Sequence, residues 1–111
     1  MKKFIVIYHA TEEAMEKMGD STPEEMKKGM EPWMAWAKKI GKGLVDMGTP
    51  LGNGQKVTKS ETMPSDKGVV GYSVLQAESM KEAVAMLKEH PHLGWAKGCE
   101  IEVHESMALP M

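Results

Sequence analysis

Hydrophobic and polar residues alternate with a period of two in four parts of the chain, which is the spacing of β-strands. Lys3 to His9 and Val69 to Gln76 carry apolar side chains on both faces, so both are expected in the centre of a sheet. Gln55 to Lys59 is a weaker pattern whose two lysines suit a sheet edge. The last pattern, residues 99 to 105, places Cys99, Ile101 and Val103 on one face and Glu100, Glu102 and His104 on the other.

Apolar residues that recur at alternating steps of four and three predict one long amphipathic helix. Its start is marked by Thr22 as a cap, Pro23 in the first turn and Glu25 in a capping box. The apolar stripe consists of Met26, Met30, Trp33, Ala37, Ile40, Leu44 and Met47. Pro32 lies inside the stripe and is expected to kink the helix, because proline lacks the hydrogen-bond donor that the helix needs.

Two further helices and a loop complete the predicted elements. Thr11 to Met18 predicts a short helical turn, and Ser79 caps a helix that His90 and Pro91 end. The segment from Gly48 to Gly54 is rich in glycine, but no helix start follows it, which favours a plain loop over a phosphate site.

The predicted order, strand, helix, strand, strand, helix, strand, is the βαββαβ pattern of ferredoxin-like α+β folds. The 111 residues are predicted to form one domain, with a four-stranded antiparallel sheet and both helices on one face. The opposite face would then expose the apolar residues of the central strands. Burial of this face by a second copy predicts a homodimer, in the form of a dimeric α/β barrel.

Charge and cysteine content narrow the expected partners and location. A net charge of -2 gives no broad basic field, which argues against nucleic acid and against an anionic membrane surface as partners. The apolar run at the start is too short for a secretion signal. A single cysteine cannot form an internal disulfide, so a cytoplasmic location is expected, with Cys99 as a small buried hydrophobe.

Short segments spread over nearly the whole chain resemble the YCII-related proteins of the dimeric α/β-barrel superfamily. The segments are Lys3 to Tyr8, Trp33 to Trp36, Lys39 to Gly41, Leu44 to Gly48, Pro50-Leu51, Gly71 to Ala77, His90 to Leu93 and Ile101 to Val103. The resemblance implies a ferredoxin-like subunit that dimerises through its sheet to enclose a cleft. It also implies a small-molecule or enzymatic role.

This chain departs from the family in two respects. Better-studied relatives have Asp-Pro where this chain has His90-Pro91, and a helix histidine near the position of Glu31 to Trp33. The His and Asp pair of those relatives is therefore not reproduced. The Asp-Gly-Pro-Phe stretch of another branch is also missing from the sequence.

Two residues are candidates for acid-base chemistry. His90 at a helix end can act as a general acid or base, and the negative helix end would favour its charged form; the alternative is a helix cap without chemistry. Glu102 faces the sheet surface that a second copy would cover, where an unpaired carboxylate is costly. A ligand role and simple pairing with His104 or a cation across the dimer both remain open for Glu102.

Five further residues are candidates for ligand binding: Trp36, Asp46, Tyr72, His92 and His104. Trp36 and Tyr72 can line a pocket or simply fill the core, and Asp46 can be a polar partner or a solvated turn residue. His92 can support His90 or point to solvent. The spacing of His90, His92 and His104 matches no established zinc pattern, so neither a metal nor another cofactor is expected.

These observations lead to two hypotheses. The first is a homodimer that binds a small organic molecule, with His90 and Glu102 in cofactor-free proton transfer. The second is a non-catalytic dimerisation or accessory module, whose methionine-rich helix serves packing or a protein partner. An open cleft favours the first hypothesis, and a cleft filled with side chains favours the second.

Overall fold

The chain forms one four-stranded antiparallel sheet and a separate hairpin. We describe residues 1–19 and 21–110 of a computed structural model, without the side chains of residues 17 and 18. The sheet contains β1 (Lys2–His9), β2 (Leu44–Asp46), β5 (Val69–Ala77) and β6 (Glu100–Glu105), in the order β2-β5-β1-β6. The hairpin pairs β3 (Gln55–Val57) with β4 (Thr62–Pro64). This α+β arrangement, with β1 and β5 in the centre as predicted, is compatible with a ferredoxin-like fold.

The α-helices in the described part of the chain are α1 (Glu12–Gly19), α2 (Pro23–Ile40), α3 (Met80–Leu87) and α4 (His92–Trp95). Of these, α2 and α3 begin at the capping residues that the sequence predicts. The side-chain oxygen of Thr22 accepts from the backbone N–H of Glu25 at the start of α2. Ser79 makes the same contact with Glu82 at the start of α3. Each cap satisfies a backbone donor that the first helical turn leaves without an intrahelical partner.

Helix α2 is shorter than the apolar stripe predicts. It passes through Pro32 without being divided, but it ends at Ile40 because Gly41 takes a positive φ of 52° and donates its N–H to the carbonyl of Ala37. The prediction that Leu44 and Met47 continue this helix was wrong. Leu44 begins β2, and Met47 lies in the loop after it.

The second strand of the main sheet was also placed wrongly by the sequence pattern. The edge strand is β2, in which Leu44 pairs with Leu75, and not the segment from Gln55 to Lys59. Residues Gln55–Val57 are exposed throughout and pair only with β4. A segment without a buried face has no hydrophobic reason to join the central sheet.

The two faces of the sheet differ in what covers them. The core lies under α2 and α3, where Phe4, Val6 and Leu75 are fully buried. On the opposite face Ile5 pairs with Val74 and Ile7 with Tyr72. Ile5 remains 36% exposed, so an apolar surface is left uncovered on this face of the sheet. Among the described residues, no helix combines the length and the apolar character needed to cross a bilayer.

Candidate functional site

A cleft opens at the end of the sheet where β1 finishes and β5 begins. Its volume is about 220 Å³, and its walls come from α2, α4, the start of β5 and the loop after β2. Aromatic residues and methionines are prominent among the residues that line it: Tyr8, Trp33, Tyr72, His92 and Trp95, with Met30 and Met47. An apolar concave surface of this kind with a few polar groups is typical of small-molecule sites.

A buried hydrogen-bond chain holds one wall of the cleft in place. The Ser73 hydroxyl donates to the carbonyl of Met47 at 2.7 Å, so it accepts from the Tyr8 hydroxyl, also at 2.7 Å. Burial raises the pKa of Tyr8 to about 12, and the bond to Ser73 only partly opposes this effect. Tyr8 therefore stays a neutral donor, and its ring is fixed against the cleft.

The loop after β2 follows the surface of β5 closely because Gly48 has no side chain. Gly48 has a φ of 77°, and a Cβ at this position would come within 1.8 Å of the Tyr72 carbonyl oxygen. The Asp46 carboxylate accepts from the Gly48 N–H at 2.9 Å. Asp46, a predicted ligand-binding residue, is thus an exposed turn residue that shapes the loop, and it does not line the cleft.

Gly29 leaves the α2 side of the cleft open. It lies inside the helix and lines the cleft, and a Cβ built on it meets no atom within 4 Å. Glycine inside a helix costs about 1 kcal/mol relative to alanine. The helix is therefore less stable than it could be at the position where a side chain would enter the cleft.

His90 is buried behind the aromatic wall of this cleft. It is 2% exposed, and its ring lies 4.3 Å from Trp33 and from Trp36 and 4.9 Å from Tyr8, measured between ring centroids. Its Nδ1 accepts from the backbone N–H of His92 at 2.9 Å, so the neutral ring carries its proton on Nε2. Within the described part of the chain, Nε2 has no hydrogen-bond partner.

Burial lowers the pKa of His90 to about 4, and His92 adds a smaller repulsion. The expectation that the helix end would favour the charged form was wrong, because desolvation in the aromatic surroundings is the larger effect. The side chain does not bind the carbonyls of the preceding helix either. Its acceptor is used by the first turn of α4 instead.

His92 connects the cleft to the end of β1. It is 3% exposed, lines the cleft, and donates from Nε2 to the carbonyl of His9 at 2.7 Å. Burial lowers the pKa of His92, although the carbonyls of His9 and Glu100 oppose the change. This histidine is therefore a neutral, fixed part of the cleft wall.

The buried neutral His90 predicts a specific loss of stability in acid. Its pKa is 6.5 in the unfolded chain and about 4 in the folded one, so between these values the unfolded chain binds a proton that the folded protein does not. The stabilising contribution is complete above about pH 6.5 and falls by on the order of 3 kcal/mol as the pH drops to about 4. Urea unfolding of the wild type and of His90→Asn over this range measures the slope.

The asparagine variant retains an acceptor near the position of Nδ1 but cannot titrate. We expect it to unfold more easily at every pH, with a shallower loss towards acid than the wild type. Val57→Asn, at an exposed residue that does not titrate, is the control and should keep the wild-type slope. Equal slopes for the wild type and His90→Asn would contradict the assignment.

Glu102 lies away from the aromatic cleft, in a polar cluster on the uncovered face of the sheet. Its two carboxylate oxygens accept from Nε2 of His9 at 2.9 Å and from Nε2 of His104 at 3.0 Å. Both hydrogen bonds lower the pKa of Glu102, and the bond from His9 has the larger effect. A larger and more open cleft of about 490 Å³ lies beside His9 and Glu102, and Lys67 and Glu100 also line it. The predicted partner His104 is therefore a direct neighbour of Glu102 in the subunit.

The two predicted catalytic residues are not brought together within one subunit. His90 packs against Tyr8 on the helix-covered face, whereas Glu102 pairs with Ile7 and belongs to the uncovered face. Of the predicted ligand-binding residues, Tyr72 and His92 line the aromatic cleft. Trp36 is a core residue whose Nε1–H donates to the Met86 carbonyl at 2.9 Å.

Several residues that build the cleft are not among those predicted from the sequence. Ser73 could have been predicted from the sequence, since a hydroxyl on the inner face of a central strand needs a hydrogen-bond partner. Gly29 could also have been predicted, because a glycine inside an otherwise helical pattern indicates a packing or functional constraint. No sequence feature predicts Trp95, since its short helix follows a proline and carries no periodic pattern.

Other predictions about the chemistry of the chain can be compared with the structure directly. Cys99 is a free, buried thiol as expected, and burial raises its pKa. Among residues 1–19 and 21–110 there is no group of three His, Cys, Asp or Glu side chains placed to hold a metal ion.

Comparison of the chain with protein-family models, curated proteins and solved structures finds no match.

Proposed function

We propose that this protein is a homodimer that binds a small organic molecule in the aromatic cleft. The observation that carries the proposal is the open cleft itself, lined by rings from three separate elements and left unfilled at Gly29. A core that only needed packing would gain stability from a side chain at this position. The proposed activity is ligand binding alone. We do not propose that His90 and Glu102 of one subunit transfer protons together, because they lie on opposite faces of the sheet.

The dimer part of the proposal rests on the uncovered sheet face. Ile5, Ile7, Val74 and Tyr72 form adjacent cross-strand pairs there, and the helices cover only the other side. Large exposed apolar surfaces are uncommon on monomers, and a two-fold axis lets one face bury itself against its own copy. Membership of the YCII-related family, a dimeric α/β barrel and a cytoplasmic location complete the proposal; the free Cys99 suits a reducing compartment.

The alternative is an accessory module that uses its surfaces only for protein contacts. The cleft supports small-molecule binding over this alternative, because it is concave and rigidly walled by the chain from Tyr8 to Ser73 to Met47. Flat or flexible surfaces are the usual sites of protein contacts.

A thermal-shift screen with about 500 fragments of all charge classes tests the binding function, because a ligand of the folded state raises the apparent stability. We expect several fragments to raise the unfolding temperature by about 2 to 4 °C at millimolar concentration. Competition among the hits would show that they share one site. If no fragment stabilises the protein, the binding function is wrong and the module alternative is favoured.

A further inference from the structure

The cleft lining has no formal charge. In the described part of the chain no Asp, Glu, Lys or Arg lines it, and the two titratable groups that are fixed there, Tyr8 and His92, are both held neutral by burial. A carboxylate, phosphate or ammonium group entering this space would lose its hydration without gaining a partner of opposite charge. The electrostatics therefore exclude charged ligands from the interior of the cleft.

The shape and polarisability of the lining favour a flat ligand. Trp33 meets Tyr8 edge-on with ring centroids 5.0 Å apart, and Trp95 stacks on His92 at 6.1 Å. The cleft that these residues line has a volume of about 220 Å³. Aromatic ligands gain offset or edge contacts with such rings, and the thioethers of Met30 and Met47 add favourable sulfur contacts.

The lining therefore combines an uncharged interior with aromatic walls. We infer that the cleft takes an uncharged, planar aromatic compound of one or two fused rings. This inference rests on the proposed binding function.

Four probes of similar size test the chemical class in isothermal titrations of the full chain at pH 7. They are 2-naphthol, 2-naphthoate, 2-naphthylmethylammonium and decahydro-2-naphthol. We expect 2-naphthol to bind at least about 10-fold more tightly than each of the other three, since they add a charge or remove the aromatic ring. Equal or tighter binding of a charged or saturated probe overturns the inference.

The outcomes separate this inference from the binding function on which it rests. If the four probes fail but other fragments stabilise the protein and compete for one site, the chemical class is wrong and the binding function stands. If neither the probes nor any fragment binds, the binding function is wrong as well.

Discussion

Replacing Gly29 with leucine is expected to abolish binding of 2-naphthol while making the protein more stable. The new side chain extends into the open space at the cleft wall, where the ligand would lie. We expect binding to weaken by at least about 30-fold. The free energy of unfolding should rise by about 0.5 to 1 kcal/mol, because leucine forms helix better than glycine.

Two matched variants separate the loss of space from other effects. Gly29→Ala gives the same gain in helix stability with much less volume, so it should retain most of the binding. Gly94→Leu introduces leucine at another open helical glycine that does not line the cleft, and it should bind as the wild type does. If Gly29→Leu binds 2-naphthol normally, the ligand lies elsewhere.

Replacing Ile5 with lysine is expected to convert the dimer into monomers. Ile5 lies at the centre of the uncovered face, and a two-fold interface would bury the new charge twice. The dissociation constant should rise at least about 100-fold, since unpaired charges in an apolar interface are strongly unfavourable. Sedimentation equilibrium would then report 12.3 kDa for the variant and twice this mass for the wild type.

The Ile5→Lys substitution is expected to change the assembly of the protein without changing its fold. Ile5 is already 36% exposed in the single subunit, so the lysine ammonium group reaches water there and the fold should remain intact by circular dichroism. Val57→Lys is the control, because Val57 is 75% exposed on the hairpin away from the sheet. A wild type that sediments as a monomer, or an Ile5→Lys variant that remains a dimer, contradicts the proposed interface.

The central part of the fold could be predicted because strand and helix periods are local properties of the sequence. The strands from Lys2 and from Val69 show two apolar faces, and both helix caps lie in the sequence as recognisable residues. The edge strand could not be placed in this way. Leu44–Asp46 continues the helical spacing of the residues before it, and only the backbone of Gly41 and the pairing with Leu75 decide its structure.

The candidate site was predicted less completely than the fold, because its walls come from distant parts of the chain. Tyr72 and His92 are polar-tipped residues with recognisable chemistry, and both line the cleft. His90 was predicted as a site residue for the same reason, yet its exposure depends on how Tyr8, Trp33 and Trp36 pack around it. No single-sequence pattern contains this packing, and it determines that His90 is neutral and enclosed.

The methionine methyl groups offer a test of small-molecule binding in the aromatic cleft, because two methionines line it. Met30 and Met47 line the cleft, whereas Met1 and Met107 are 77% and 74% exposed and do not line it. In a protein labelled with ¹³C at the methionine methyl groups, saturating 2-naphthol should shift the Met30 and Met47 resonances and show nuclear Overhauser contacts to them. Contacts only to other methionines, or no contacts with Met30 and Met47 at saturation, would contradict the account.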